Sequence, residues 1–310
     1  MRQTKRNYTS TSMDRFNTQF YAFGTRWWIT LYGEYKKEPQ RLFDIIAREV
    51  DVFENRYSRF RPDSRIAKLN KTKKFRFLDS QDYEVFKIGI QLQQRTDGIF
   101  SPLVGTYLEK AGYDSEQSFK TTLTNVESVE LGEILAFDTN EIAISDHAYF
   151  DIGGYGKGLM VDKISSLCIE QGVQRYIINA GGDIFVYNFE ETFYLEHPNA
   201  GGTYIGSITL SNGAIASSAH NRRSWSDEDG MTLSHILDPR RDLQSQKSEL
   251  HAISTFTQSS SCLYADVAAT VLLIEPTFPI QRIGSVEHCI VFSDYTFKKT
   301  TGYSGRLFDS

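Results

Sequence analysis

Apolar residues at Leu42, Ile46, Val50, Phe53 and Tyr57 recur at helical spacing and predict an amphipathic helix over 40–57. Tyr83, Phe86 and Ile90 share one face of a second helix, expected from Asp82 to Thr96 and ended by Asp97-Gly98. Val161, Ile164, Leu167 and Cys168 mark a third helix, and Cys262 to Ile274 reads as a fourth. Strand-like runs differ in kind, being short and rich in aromatic and β-branched residues. Phe20 to Tyr35 predicts a strand or hairpin broken at Gly24 and Gly33. From Arg175 onward short strands are expected at 175–179, 183–187, 192–196, 204–210 and 214–217, with a last hairpin of 289–292 and 295–298 around Ser293-Asp294. Asp63-Ser64 opens a short segment to Asn70. Pro102 to Tyr113 reads as irregular, followed by a charged, linker-like stretch to about residue 133.

Strand groups separated by a few long helices predict an α+β architecture rather than alternating βαβ units. Residues 1–19 are polar and are expected to be a flexible N-terminal segment. The remainder, 20–310, is expected to form a single domain, with two intertwined subdomains as the alternative.

Composition is that of a globular protein, with 40% hydrophobic, 24% charged and 13% aromatic residues among 310. A net charge of −5 argues against nucleic acid as a partner, because phosphate backbones are met by basic surfaces. The basic clusters at Lys71–Arg76 and Arg222-Arg223 read as solvated faces. Three scattered cysteines without a C-x-x-C pair suit a reducing compartment. The N-terminus is basic without an apolar core or lipid-attachment cysteine, and no run approaches about 18 apolar residues. The expectation is a cytoplasmic protein that neither spans nor binds a membrane.

Asp151-Ile-Gly-Gly154-Tyr-Gly-Lys157-Gly158, leading into the third helix, carries the most chemistry. Glycines admit backbone N–H groups close to an anion, and a helix N-terminus adds a favourable dipole. The common phosphate loops fail here: a Walker loop needs Ser or Thr where Gly158 stands, and a Rossmann fingerprint needs glycine where Leu159 stands. The loop therefore points to a phosphate ligand held by another fold.

Asp266 and Thr270, four residues apart on a helix, offer a carboxylate and a hydroxyl to one point and suit a hard cation such as Mg²⁺. The alternative is a capping Asp266 and a Thr270 bonded back to a carbonyl one turn earlier. His235, three residues before Asp238-Pro239, is a candidate general base or a packed structural histidine. Asn179-Ala-Gly181-Gly182-Asp183 lets backbone approach a flat ligand, or makes a hairpin. Ser217-Ser218-Ala-His220 with Arg222-Arg223 supplies phosphate donors, or a polar loop.

The order of these segments resembles the ApbE family, the Mg²⁺-dependent FAD:protein FMN transferases. The resemblance runs from about Phe23 to Ile274. Phe23-Gly-Thr is similar to the family's Met-Gly-Thr, and Ser58-Arg-Phe60-Arg-Pro-Asp-Ser through Leu69-Asn70 to its Ser-x-Tyr…Ser…Leu-Asn. Thr96-Asp-Gly-Ile-Phe100-Ser101 resembles Thr-Asp-Gly-Ala-Phe-Asp, and Asp151 to Asp162 resembles Asp-Leu-Gly-Gly-Ile-Ala-Lys-Gly-Tyr-Ala-Val-Asp. Asn179 to Asp183, His235 to Arg240 and Ala265 to Thr270 follow in the family's order. Four departures stand out: Phe23 for methionine, Ser101 for aspartate, Ser218-Ala-His220-Asn221 for Ser-Gly-Asp-Tyr, and Arg241-Asp242 for Thr-Gly.

The resemblance implies a T-fold-like α+β protein with mixed or antiparallel sheets and packed long helices, forming one ApbE-like flavin transferase domain. FAD would be the substrate, contacted by Phe23, Phe60, Phe100, Ser101, Asp151, Lys157, Asn179, Gly181, Gly182, Ser218 and Asp238. Mg²⁺ would be held by Asp266, Thr270 and the carbonyls of Gly154 and Ala269. His235 would take the proton of an acceptor threonine as FMN moves to a partner flavoprotein and AMP leaves. Acceptors of the family carry a segment like Asp-x-x-Ser/Gly-Ala/Ser-Thr. This chain has none, since Asp266-Val-Ala-Ala-Thr270 is one residue short, so the partner would be modified in trans. Hydrolysis of FAD to FMN and AMP, or FAD binding without catalysis, are the alternatives.

Overall fold

A computed structural model describes residues 14–33, 38–113, 133–220, 224–226, 232–241 and 252–308. Residues 1–13, the expected linker at 114–132, Asn221 to Arg223 and Asp242 lie outside the described residues, as do residues 34–35 of the expected hairpin.

The chain opens with β1 (Arg15–Ala22) and β2 (Thr25–Tyr32), paired antiparallel through a tight turn at Phe23-Gly24. Both turn residues have positive φ, the geometry that matches strand twist in a two-residue hairpin. β1 corrects the expectation of a loose segment to residue 19. Its Phe16 and Phe20 lie opposite Leu31 and Trp27, so the alternation of β2 extends into this polar-looking stretch.

Helix α1 (Pro39–Tyr57) buries Leu42, Phe43, Ile46, Val50, Phe53 and Tyr57 along one stripe. Helix α2 (Arg65–Thr72) is capped by Ser64, whose hydroxyl accepts from the Ala67 N–H at 2.9 Å. Asp79 caps α3 (Ser80–Arg95) in the same way. A small sheet of β3 (Lys74–Arg76), β4 (Ile134–Phe137) and β5 (Glu141–Ile144) has the order β3-β5-β4. The segment expected to be irregular after Pro102 instead contains helix α4 (Gly105–Lys110). Its buried Thr106 and Tyr107 are tied to other elements, Tyr107 Oη donating to the Pro239 carbonyl at 3.1 Å.

Helix α5 (Gly156–Glu170) leads to β6 (Tyr176–Ala180), β7 (Asp183–Tyr187), β8 (Glu191–Glu196), β9 (Tyr204–Leu210) and β10 (Gly213–Ala219). A short ribbon of β11 (Ser224–Ser226) and β12 (Thr232–Ser234) follows. After it come β13 (Ala252–Ser259), α6 (Cys262–Ile274), β14 (Val286–Phe292), β15 (Phe297–Lys299) and β16 (Arg306–Leu307).

Eight strands form one antiparallel sheet in the order β1-β2-β6-β7-β10-β13-β14-β15. The sequence pattern did not indicate β13, which lies near the middle of this sheet. Helices α1, α5 and α6 pack on one face, over a core containing Trp27, Ile29, Val161 and Ile178. On the opposite face a three-stranded sheet, β16-β9-β8, closes a second cluster that includes Val186, Leu195, Ile208 and Val291. The protein is α+β, with antiparallel ladders throughout the described strands. Among the described residues no helix is long and apolar enough to cross a membrane.

Candidate active site

Helix α6 is buried on nearly every side, and its sequence is apolar apart from Tyr264, Asp266 and Thr270. A carboxylate in such a helix is costly unless it is paired. Asp266 is paired from α5: its Oδ2 accepts the Gly158 N–H at 3.2 Å and lies 3.5 Å from Lys157 Nζ. The two helices can approach this closely because residue 158 is glycine. A Cβ there would stand 2.7 Å from the Cys262 carbonyl and 2.8 Å from Leu263 Cα. Gly158 therefore serves helix packing as well as the loop.

Lys157 also forms an ion pair with Asp183, the first residue of β7. One ammonium thus serves two buried carboxylates. Burial, then the charge of Asp183, raises the Asp266 carboxyl to about 7 despite the counteracting Lys157. Burial acts to lower the Lys157 pKa, but Asp183 and Asp266 outweigh it and hold the ammonium above its ordinary value. The cluster carries one more acid than base, so it has room for a further positive charge.

The N-terminus of α6 is fixed by other groups. Ser261 caps it, and Asp162 of α5 accepts from Ser261 Oγ at 2.7 Å, the Cys262 N–H at 2.7 Å and the Leu263 N–H at 3.1 Å. Asp266 is therefore not a cap, and that alternative falls. From β13, Thr257 Oγ1 donates to the Ala265 carbonyl and Thr255 Oγ1 to the Ala269 carbonyl, each at 2.7 Å. Thr270 Oγ1 lies 3.4 Å from Ser218 Oγ on β10.

These groups open on a cavity of ≈ 810 Å³, large enough for a cofactor-sized ligand. Its lining brings together Phe23, Phe60, Phe100, Ser101, Asp151, Gly154, Lys157, Gly181, Gly182, Ser218, His235, Asp266 and Thr270 of the sequence candidates. Three other candidates lie off the wall. Asn179 uses its Oδ1 to accept the Gly182 N–H at 3.0 Å, bracing the β6–β7 turn from behind. Asp238 is held by Arg240 in two hydrogen bonds of 2.9 and 2.8 Å, while its neighbours Leu237 and Pro239 reach the cavity. Ala269 is buried, and its carbonyl is engaged by Thr255.

The β1–β2 and β6–β7 turns abut at the cavity wall. Gly181, at φ +70°, leaves no room for a Cβ, which would stand 2.2 Å from Thr25 Oγ1. Phe23 adopts φ 54°, rare for a bulky residue, with its ring 5.9 Å from Trp27 and 6.0 Å from Phe53. On another side Arg59, fully buried, joins three segments. It donates to Asp151 Oδ2 at 3.1 Å, Glu109 Oε1 at 2.5 Å and the Tyr113 carbonyl at 2.5 Å, with Phe60 stacked 4.1 Å from its guanidinium. Asp151 in turn accepts the Gly153 N–H at 2.9 Å, which sets the glycine loop. Arg59, Asp162, Asp183 and the β13 threonines were not singled out from the sequence. Asp183, Arg59 and Asp162 were signalled only by standing inside segments already noted.

Among the described residues no cluster of three or more His, Cys, Asp and Glu side chains could hold a metal. A hard cation here would rely on Asp266, the Thr270 hydroxyl, backbone carbonyls and oxygens of the ligand itself, the donor set Mg²⁺ accepts.

A family model described as the ApbE family matches residues 23–282. A protein of Vibrio cholerae named FAD:protein FMN transferase is 24% identical over 257 residues, covering 77% of this chain and 73% of its own length. Among solved structures, the ApbE protein of Thermotoga maritima has a TM-score of 0.79 at 20% identity, covering 93% of this chain and 97% of that one. The flavin transferase ApbE from Vibrio cholerae gives 0.75 at 20% identity with the same coverage. With its family match over most of its length and a fold shared with these proteins, the chain belongs to the ApbE family.

Proposed function

We propose that this protein is an FAD:protein FMN transferase, moving FMN from FAD to a threonine hydroxyl of a partner flavoprotein with release of AMP. The observation that carries this reading is the Lys157–Asp183–Asp266 cluster at the N-terminus of α5, opening on a cofactor-sized cavity. The cation-poor cluster fits Mg²⁺ with Asp266, Thr270 and the Gly154 carbonyl as its protein ligands, and the Ala269 carbonyl would join them only through the lone pair that Thr255 leaves. Bound there, the metal would neutralise the pyrophosphate of FAD and ease the departure of AMP.

The chain's own residues do the rest. Backbone N–H groups of the glycine loop and Lys157 Nζ receive pyrophosphate oxygens. Phe23, Phe60 and Phe100 offer ring surface to the isoalloxazine, and Ser101, Gly181, Gly182 and Ser218 offer polar contacts. Asn179 supports the β6–β7 turn, while Asp151, held by Arg59, supports the loop. Asp238, engaged by Arg240, shapes the turn that follows His235. His235, in the cavity lining, takes the threonine proton as the threonine oxygen–phosphorus bond forms and the bond from the FMN phosphorus to the bridging oxygen breaks. Positioning and charge stabilisation supply most of the rate. A reducing, cytoplasmic setting belongs to the same reading, supported by three buried free thiols.

Incubation with FAD and Mg²⁺, with and without a protein carrying Asp-x-x-Ser-Ala-Thr, tests this. Covalent FMN fluorescence on the target, with AMP formed in equal amount, is expected. Free FMN and AMP without target would assign hydrolysis instead, and unchanged, bound FAD would assign a binding protein.

A further inference from the structure

Among the described residues, the outer face of the eight-stranded sheet is covered over only part of its width. The β16-β9-β8 sheet buries Ile184 and Val186 of β7 and the strands beyond it. Over β1 and β2, however, Tyr21 is 72% and Trp28 41% exposed, while Ile177 of β6 still packs against the second cluster. Between that bare face and β8 runs a groove of ≈ 450 Å³, with Trp28, Thr30 and Tyr32 on its floor and Thr192 and Phe193 on its wall. Phe193 lines the cavity as well, and the lining continues along β8 through Tyr194 to Pro198. Groove and cavity are therefore neighbours on one strand.

β8 is the edge of its sheet, paired among the described strands only with β9. Successive residues of an antiparallel strand turn their backbone groups to alternate sides. The N–H groups of Phe189 and His197, just outside β8, bond to Ser211 and Thr203, on the β9 side. Thr192 and Tyr194, of opposite parity, thus present their backbone groups to the groove side. The Thr192 N–H donates to the neighbouring Glu191 carboxylate, at 3.1 Å.

We propose that this groove binds an extended segment of the acceptor protein next to its modified threonine, added as a strand to the open edge of β8. The inference rests on the transfer reading for the identity of the occupant. An acceptor must bring a threonine to the cavity mouth, and the open edge leads there. From Thr192 to His197 a strand advances about 17 Å at roughly 3.3 Å per residue, so a flank of about six residues reaches from the groove along the β8 wall of the cavity. Main-chain bonds to Thr192 and Tyr194 supply affinity and register, and Trp28 offers a surface for one flat or aliphatic side chain.

The test uses two labelled peptides, Asp-x-x-Ser-Ala-Thr alone and the same motif with six-residue flanks, and two variants. Thr192→Pro removes an N–H that faces away from β9 and so leaves the β8–β9 ladder paired. Thr30→Trp fills the groove from the floor. By fluorescence anisotropy without FAD, the flanked peptide is expected to bind wild type about tenfold more tightly than the short one. Both variants should erase that difference while leaving FAD affinity unchanged. Equal binding of the two peptides, or a difference that survives both variants, overturns the proposal. So does a dimer of this chain that Thr192→Pro dissociates while peptide affinity is unmoved. Transfer assayed on the same peptides separates the two claims. Flank-dependent binding without transfer removes the transfer reading alone, and transfer without flank dependence removes the groove alone.

Discussion

Replacing Asp266 with asparagine preserves the side-chain shape and an acceptor for the Gly158 N–H, while removing one of the two carboxylates that share Lys157. Burial and Asp183 raise the Asp266 pKa from 3.8 to about 7, so the folded protein holds that proton more tightly than the unfolded chain does. The stability linked to this group is complete below about pH 4 and is lost as pH rises through 7. At 1.36 kcal/mol per pKa unit, ionised Asp266 costs the unliganded fold about 4 kcal/mol above pH 7. Solvent entering from the cavity screens this to ~2 kcal/mol. For 310 residues, at about 2.1 cal/mol/K of unfolding entropy per residue, that is a rise in Tm of ~3 °C. We expect unliganded Asp266→Asn to melt ~3 °C above wild type at pH 8, with the gap closing toward pH 4. The thermal shift produced by FAD with Mg²⁺ should vanish, and transfer should fall by at least about 10²-fold. Differential scanning fluorimetry and the transfer assay measure both. An unliganded variant that melts at or below wild type at pH 8, or transfer kept within tenfold, refutes the reasoning.

Gly158→Ala drives a Cβ to 2.7 Å from the Cys262 carbonyl; overpacking of about 1–3 kcal/mol should lower Tm by a few degrees, and FAD affinity should fall as α5 moves from α6. His235→Asn should reduce transfer kcat by about 10²-fold or more while FAD affinity, followed by flavin fluorescence quenching, stays within about twofold. Burial lowers the His220 pKa to about 4, below its unfolded value of 6.5, so its contribution to stability is complete above pH 6.5 and is lost as pH falls toward 4. Urea denaturation should show wild type losing ~2 kcal/mol more than His220→Gln over that range.

Elements that carry their own periodicity and caps were legible in the sequence. Helix α6 spans Cys262–Ile274 as expected, because Ser261 caps it and an unbroken apolar run fills it. Helix α1 begins one residue earlier than its stripe suggested, at Pro39, a residue suited to a first turn. What the sequence hid depends on partners distant in the chain. β13 reads Ala-Ile-Ser-Thr-Phe-Thr-Gln-Ser, and its Thr255 and Thr257 hydroxyls are spent on α6 carbonyls, a use no local pattern signals. Helix α4 follows a proline and starts on a glycine, and buried contacts such as Tyr107 to Pro239 hold it.

The site divides in the same way. The glycine loop, Asp266 and Thr270 were visible as residue types at a spacing, and the fold joins them with a hydrogen bond between residues 108 positions apart. The third member of the cluster, Asp183, and the Arg59 brace on Asp151 act through three-dimensional pairing. Asp238 looked like a ligand contact in the sequence, but the adjacent Arg240 takes both its oxygens. That pairing is equally local, joining residues two apart across Pro239.

In the proposed reaction the cluster of Lys157, Asp183 and Asp266 receives a metal-bound pyrophosphate. Soaking crystals with FAD and Mn²⁺, an anomalous scatterer with the oxygen preferences of Mg²⁺, tests it most directly. An anomalous peak is expected at about 2.0–2.3 Å from an Asp266 carboxylate oxygen and near the Thr270 hydroxyl, with the pyrophosphate against the loop at 151–158. FAD bound in the cavity with no peak beside Asp266, or with its pyrophosphate away from that loop, would contradict it.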